Sequence, residues 1–122
     1  MRRPVVLQVA LAWLRQEKRR ANVTTLFVTG GAGYVGSHCC KAFHEAGWKV
    51  VVYDNLSRGH REFVRYGDLI EGDILDAGAL RSALAAVKPD AVAHFAALAY
   101  VGESVSEPGL YYRNNTVGTL NI

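Results

Sequence analysis

Only two of the 122 residues are cysteines, and they are adjacent, Cys39 and Cys40. Neighbouring cysteines cannot frame a disulfide-stapled fold, and we expect such a chain in a reducing cytoplasm. No run of eighteen apolar residues occurs, which excludes a membrane-spanning helix of ordinary length. Repeats and low-complexity tracts are absent, and with 50% hydrophobic and 20% charged residues the composition excludes a disordered chain. Charge of one sign is also scarce. The formal net charge is +3, yet residues 1–20 hold six Lys/Arg against one Glu, and the remainder eight Lys/Arg against ten Asp/Glu. The basic excess therefore belongs to the first segment, and the body of the chain has no electrostatic footprint for nucleic acid. The four histidines, at 38, 44, 60 and 94, include no pair at metal-ligand spacing, and Cys39-Cys40 is no zinc motif. No metal site is expected; the cysteines should pack on or beside the first helix.

The length allows one domain at most. Residues 1–24 read as an extension outside the fold. Their apolar stretch Val5–Leu14 is followed directly by the charged Arg15–Arg20 rather than by a small-residue cleavage site. A loose appendage or a start codon placed too far upstream is one reading; a basic amphipathic helix on a membrane surface is the other.

From Thr25 onward strand-like and helix-like stretches alternate. Leu26-Phe27-Val28 is a short apolar run closed by Thr29-Gly30-Gly31. A helix is predicted over 34–46, with Val35, Cys39, Ala42, Phe43 and Ala46 on one face and Gly47 as its stop. Val50-Val51-Val52-Tyr53 is apolar without alternation, as in a strand covered on both faces. Leu69-Ile70-Glu71 is a weaker strand, 77–87 a helix aligned on Leu80, Leu84 and Val87, and Ala91–Phe95 a fourth strand, with helix again from Tyr111. Strand–helix units on short links predict an α/β fold, a doubly wound parallel sheet with helices on its faces, with strands near 25–29, 49–53, 68–71 and 91–95.

The strongest chemical signal is Thr29-Gly30-Gly31-Ala32-Gly33-Tyr34-Val35-Gly36. Gly30 permits the tight turn off the first strand, Gly33 lets backbone approach a pyrophosphate, and Gly36 lets the helix pack close. The helix N-terminus then offers free N–H groups to phosphates. A glycine pattern alone is weak, but here a strand precedes it and a helix and second strand follow. Asp54 ends that second strand, where a carboxylate accepts both ribose hydroxyls of an adenosine and repels a 2′-phosphate, favouring NAD over NADP. Its bland alternative is an Asp opening the turn Asp54-Asn55-Leu56-Ser57, while Arg58 and Arg61 keep NADP in view.

The Gly30-x-x-Gly33-x-x-Gly36 spacing resembles the short-chain dehydrogenase/reductase superfamily, with its Rossmann-type domain. Glu71-Gly72-Asp73-Ile74, His94-Phe95-Ala96-Ala97, Val101-Gly102-Glu103-Ser104-Val105, Pro108 and Tyr111–Thr119 narrow the resemblance to the extended, NAD-dependent epimerase/dehydratase members, and among these to the UDP-hexose 4-epimerases. It covers residues 25–122. It implies NAD as cofactor, a UDP-hexose inverted at C4 (UDP-glucose and UDP-galactose interconverted), and a homodimer of the complete enzyme. It further implies that Tyr34 and Val35 touch the pyrophosphate and that Asp54 holds the adenosine ribose, with Asn55, Leu56, Ser57, Arg58 and Gly59 lining that end. Asp73 and Ile74 would flank the adenine, Phe95, Ala96 and Ala97 would run beneath the cofactor, and Asn114 would bond near the nicotinamide half. Asp73 taken alone reads as a turn residue, and Asn114 and Asn115 as residues bonding their own backbone at a helix start. Where the family often has Lys, this chain has Ala99, so that contact is absent or supplied otherwise.

The family's catalytic base is a Tyr-x-x-x-Lys tyrosine, its pKa lowered by the Lys and the cofactor's charge. Here the residues four places after the six tyrosines are His38, Ser57, Ile70, Ser104, Asn115 and Thr116. No catalytic residue is assigned. The chain reads as the N-terminal part of such an epimerase, inactive alone, with residues 25–122 the first portion of the NAD-binding domain and its sheet left with an apolar edge. A non-catalytic dinucleotide-binding fragment and a part of a related nucleotide-sugar dehydratase are the alternatives.

Overall fold

A computed structural model describes residues 24–122; the expected extension over residues 1–24 lies almost wholly outside them. Four strands, β1 (Thr25–Thr29), β2 (Lys49–Asp54), β3 (Asp68–Glu71) and β4 (Ala91–His94), form one sheet in the order β3-β2-β1-β4. Every pairing is parallel, with Phe27 opposite Val51 on one side and Val92 on the other. Each strand lies where the sequence pattern predicts it, to within one residue.

Alternate residues of the two central strands feed two separate cores, which is why neither strand alternates in polarity. Leu26, Val28, Val50 and Val52 face α1 (Tyr34–Glu45) and pack with Cys40 and Trp48. Phe27, Val51 and Tyr53 face the other way, onto Ile74 and Leu80, with Leu84 and Val87 of α2 (Ala77–Val87) beside them. Helices on both faces make this the three-layer arrangement expected.

The buried line of α1 runs through Gly36 and Cys40, with Phe43 packed beside it, whereas Val35 is 59% exposed. The predicted apolar face thus holds at Phe43 and Ala46, both packed against the core, and is displaced by one residue in the first turns, where Gly36 and Cys40 are buried in place of Val35 and Cys39. Apolar periodicity gives no weight to glycine, and the closest approach of this helix is at Gly36. Gly47, at φ +84°, ends α1. Its N–H donates to His44 O and that of Trp48 to Phe43 O, a Schellman stop, with the Phe43 and Trp48 rings 6.1 Å apart. Asp76 caps α2 by accepting from the Ala79 N–H at 2.9 Å.

After β4 the chain is more helical than the sequence suggests. α3 (Val101–Ser106) and α4 (Pro108–Tyr112) precede a wide π turn over Arg113–Val117 and a last short helix, α5 (Gly118–Leu120). α3 escapes a periodicity reading because Val101 and Val105 are about 80% exposed and it has no buried residue. The Tyr111 hydroxyl holds this region together, accepting from Tyr100 N–H at 3.0 Å and lying 2.9 Å from Tyr100 O and 2.7 Å from Glu103 Oε2.

Candidate functional site

In the order β3-β2-β1-β4 the chain reverses direction across the sheet between β1 and β4. In open parallel sheets the ligand crevice lies at that point, outside the carboxyl ends of the strands. A cleft of about 530 Å³ lies there. Its walls are the turns that follow three strands. Gly30 and Gly33 follow β1; Asn55, Ser57, Arg58 and Gly59 follow Tyr53 and Asp54 of β2; Phe95, Ala96, Ala97 and Leu98 follow β4. Gly72, Ile74 and Asn114 complete the lining.

The glycine turn is built for close approach. Gly30 sits at φ +74°, and a Cβ there would stand 2.5 Å from Ala96 N. A Cβ on Gly36 would stand 2.1 Å from Gly30 O, so only glycine brings the start of α1 against the turn. A Cβ on Gly33 would meet no protein atom nearer than 3.4 Å and would instead occupy the cleft it lines. No side chain caps α1 and no acidic residue stands in its first turn. Its leading N–H groups and positive dipole end are therefore disposed to an anion.

Asp54 is 8% exposed and ties two walls together. Its Oδ2 accepts from Ala32 N–H at 3.0 Å and its Oδ1 from Leu56 N–H at 2.8 Å. Both the ribose-holding role and the turn-forming alternative thus draw on one carboxylate, whose two oxygens retain further acceptor capacity. Leu56 is held at φ +57° by that bond. Asn55 braces the same loop: its Oδ1 accepts from Ser57 N–H and Oγ–H, and its Nδ2 donates to Asp73 Oδ2 at 3.0 Å. Asp73 also accepts from Leu75 N–H at 2.8 Å, the turn role its position suggests.

Both cations that keep NADP in view are engaged elsewhere. Arg61 pairs with Glu71, and Arg58 with Glu103 at 2.6 Å. Hydrogen bonds from Tyr111 and Arg58 hold the Glu103 carboxyl below its ordinary pKa, and its bond to Glu103 raises that of Arg58.

Twelve of the seventeen residues singled out from sequence line the cleft. Gly36, Leu56 and Asp73 stand behind it as supports, while Tyr34 and Val35 lie on the exposed first turn of α1, 76% and 59% exposed. Tyr53, Gly72 and Leu98 line it without having been singled out, although each adjoins or closely follows a residue that was. Asn115 carries a role that sequence reasoning missed. Its side-chain amide exchanges two 2.9 Å hydrogen bonds with the backbone of Leu98, fixing the wall after β4, while Asn114 lies 3.4 Å from Ala96 O. Neither asparagine is confined to its own backbone. A π turn that re-aims two adjacent side chains onto another segment leaves no compositional trace. Among the described residues no group of three or more His, Cys, Asp or Glu converges to hold a metal.

Known proteins share this arrangement. The chain is 54% identical over 98 residues to a UDP-glucose 4-epimerase of Rhizobium leguminosarum bv. trifolii, covering 80% of this chain and 30% of that protein. It is similar to the crystal structure of the Brucella ovis UDP-glucose 4-epimerase in complex with NAD, with a TM-score of 0.79 and 52% identity over 81% of this chain and 30% of that one. The Thermotoga maritima UDP-glucose 4-epimerase with UDP-glucose matches at a TM-score of 0.76 and 38% identity, covering 80% and 32%. The chain thus spans about 30% of the length of the relatives it matches. The model of the NAD dependent epimerase/dehydratase family matches residues 26–122, and the chain belongs to that family.

Proposed function

We propose that this chain forms the NAD-holding part of an enzyme that inverts C4 of a UDP-hexose. The observation that carries the reading is the convergence of Gly33, Asp54 and Phe95–Ala97 on one cleft at the carboxyl ends of β1, β2 and β4. These residues fit a dinucleotide: backbone without a Cβ toward a diphosphate, a carboxylate toward a ribose diol, and an apolar floor under a ring. Asp54 and the occupied guanidinium groups of Arg58 and Arg61 favour NAD over NADP. When bound, NAD supplies reversible two-electron oxidation of the sugar carbon. Every task left to these residues is binding and orientation. None of them takes the proton from the sugar hydroxyl, because the 122 residues contain no Tyr-x-x-x-Lys.

Calorimetric titration of the chain with NAD and with NADP tests the reading: NAD binds and NADP binds more weakly. Absence of NAD binding would overturn it. The related nucleotide-sugar dehydratases share the cofactor, and the resemblance of Gly102–Ser104 and Tyr111–Asn115 to the epimerases is what favours C4 inversion.

The wider expectations extend to the longer relatives' assembly. We propose that the sugar nucleotide is held together with residues outside this chain and that the complete enzyme is a homodimer. Among the described residues no helix is long and apolar enough to cross a membrane; both cysteines are free, which supports the proposed cytoplasmic location.

A further inference from the structure

Arg58 lines the cleft, and its hydrogen-bond partner Glu103, 45 residues away in sequence, stands just beyond the wall that follows β4. Arg58 stands in the loop after β2, Glu103 on α3 after β4, and β1 with its glycine turn lies between those strands. Two strand spacings, about 10 Å, separate β2 from β4, so the contact joins the segments that follow these strands across the width of β1, at the cleft that Arg58 lines. The guanidinium meets Glu103 Oε1 at 2.6 Å and lies over the Tyr100 ring, 5.3 Å from its centroid. The two ends are unequally anchored. Glu103 Oε2 accepts from the Tyr111 hydroxyl, which is itself fixed to Tyr100 and only 9% exposed. Arg58 follows the turn braced by Asn55, but its own side chain is 45% exposed and is held at its tip by Glu103 and the Tyr100 ring.

We propose that the Arg58–Glu103 bridge is a latch over the dinucleotide cleft: a positioning device that slows cofactor entry and exit, with the Arg58 side chain as the moving arm and the Tyr111-held carboxylate of Glu103 as the post. The idea rests on the dinucleotide reading above. A half-exposed ion pair plus one cation–π contact is weak enough to open thermally and strong enough to slow passage by about five- to tenfold. Because the latch bars both directions, losing it accelerates binding and release together and leaves the equilibrium constant nearly unchanged. A residue that merely ligates the cofactor changes release and affinity in step.

The test uses stopped-flow fluorescence of NADH with the 122-residue chain and its Arg58→Met and Glu103→Gln variants. Hydrogen exchange of residues 55–60 is followed without cofactor. The expected result is faster exchange of that loop in both variants and, in Glu103→Gln, which lies outside the cleft lining, association and release each raised about five- to tenfold with Kd within about twofold of wild type; Arg58→Met, which also removes a cleft-lining side chain, shares the faster association. The Arg58→Lys variant, which keeps the charge but not the planar stacking group, falls between. Failure of the wild-type chain to bind NADH overturns the dinucleotide reading, and the latch with it. Binding with unchanged rates in both variants overturns the latch alone. A raised Kd in Arg58→Met with unaltered rates in Glu103→Gln also overturns it, by making Arg58 a direct ligand of the diphosphate.

Discussion

At Asp54 one carboxylate joins two backbone segments and, on the proposed reading, also takes the ribose diol, and its substitution should separate the two. Asp54→Asn keeps the shape but turns one acceptor into a donor facing either Ala32 N–H or Leu56 N–H. We expect about 1–3 kcal/mol lost in unfolding free energy. NAD affinity should fall by a further ~1.5–3 kcal/mol as a charge-assisted bond to the diol weakens. NADP should lose less, since repulsion of its 2′-phosphate goes at the same time. Denaturant melts and paired titrations check this; equal losses for both cofactors would count against the ribose role. His94 makes a different point. Thr119 Oγ1 donates to Asn115 O, so it accepts from His94 Nε2–H, leaving Nδ1 to accept from the buried Thr29 hydroxyl at 2.7 Å. That network needs the neutral ring, and burial lowers the His94 pKa from its ordinary 6.5. The depressed value means that the unfolded chain binds more protons between the two pKa values. This contribution is therefore full above pH 6.5 and is lost as pH falls through the lowered folded-state value. Thermal melts from pH 7.5 to 5 should show a falling midpoint, and His94→Gln should flatten that decline.

Among the elements, α1 shows the strictest demands. Gly36→Ala would place a methyl group 2.1 Å from Gly30 O, and because both partners are backbone the helix must move away from the turn. The expected cost is about 1–3 kcal/mol, with loss of NAD binding because the leading N–H groups move with the helix. Gly47→Ala at the other end tests only the stop. At φ +84° a Cβ costs about 1–2 kcal/mol, and cofactor affinity should not change, because Gly47 lies far from the cleft lining. Comparing the two variants by chemical denaturation and titration separates helix stability from helix placement. Both glycines are legible in sequence, since turns and close approaches demand them. The register of the first turns was not, because Gly36, which abuts the Gly30–Gly31 turn, carries no hydrophobicity to count. α3 was invisible for a related reason: it holds on through Tyr111 and Glu103 rather than through a buried apolar face.

For the molecule as a whole, β4 is an edge strand among the described residues, paired only with β1, and its Val92 is 41% exposed. A parallel edge of this kind is a template for another chain. Light scattering of the 122-residue protein should show association rising with concentration, and Val92→Lys should suppress it. The same chain, free of host epimerase, should not turn over UDP-galactose in a coupled assay. General base catalysis is typically worth ~10²–10⁴-fold, and positioning of the sugar roughly 7–11 kcal/mol of the barrier; on the proposed reading both come from residues other than these. Turnover within tenfold of a full-length relative would reveal a base that the tyrosine spacing conceals.

What the sequence determined by itself was the order of elements as far as β4, the parallel sheet and the glycines of the turn. Unbroken apolar strands, helical spacing and glycines where Cβ atoms cannot fit are local requirements, each written in a few neighbouring residues. Only the tertiary structure decided which residues meet across long separations. Asn115 grips Leu98, Thr29 and Thr119 fix the tautomer of His94, and Arg58 reaches Glu103 on α3. Such contacts depend on strand order and loop path. Polar side chains with many possible partners carry no periodic signal that names the one they find.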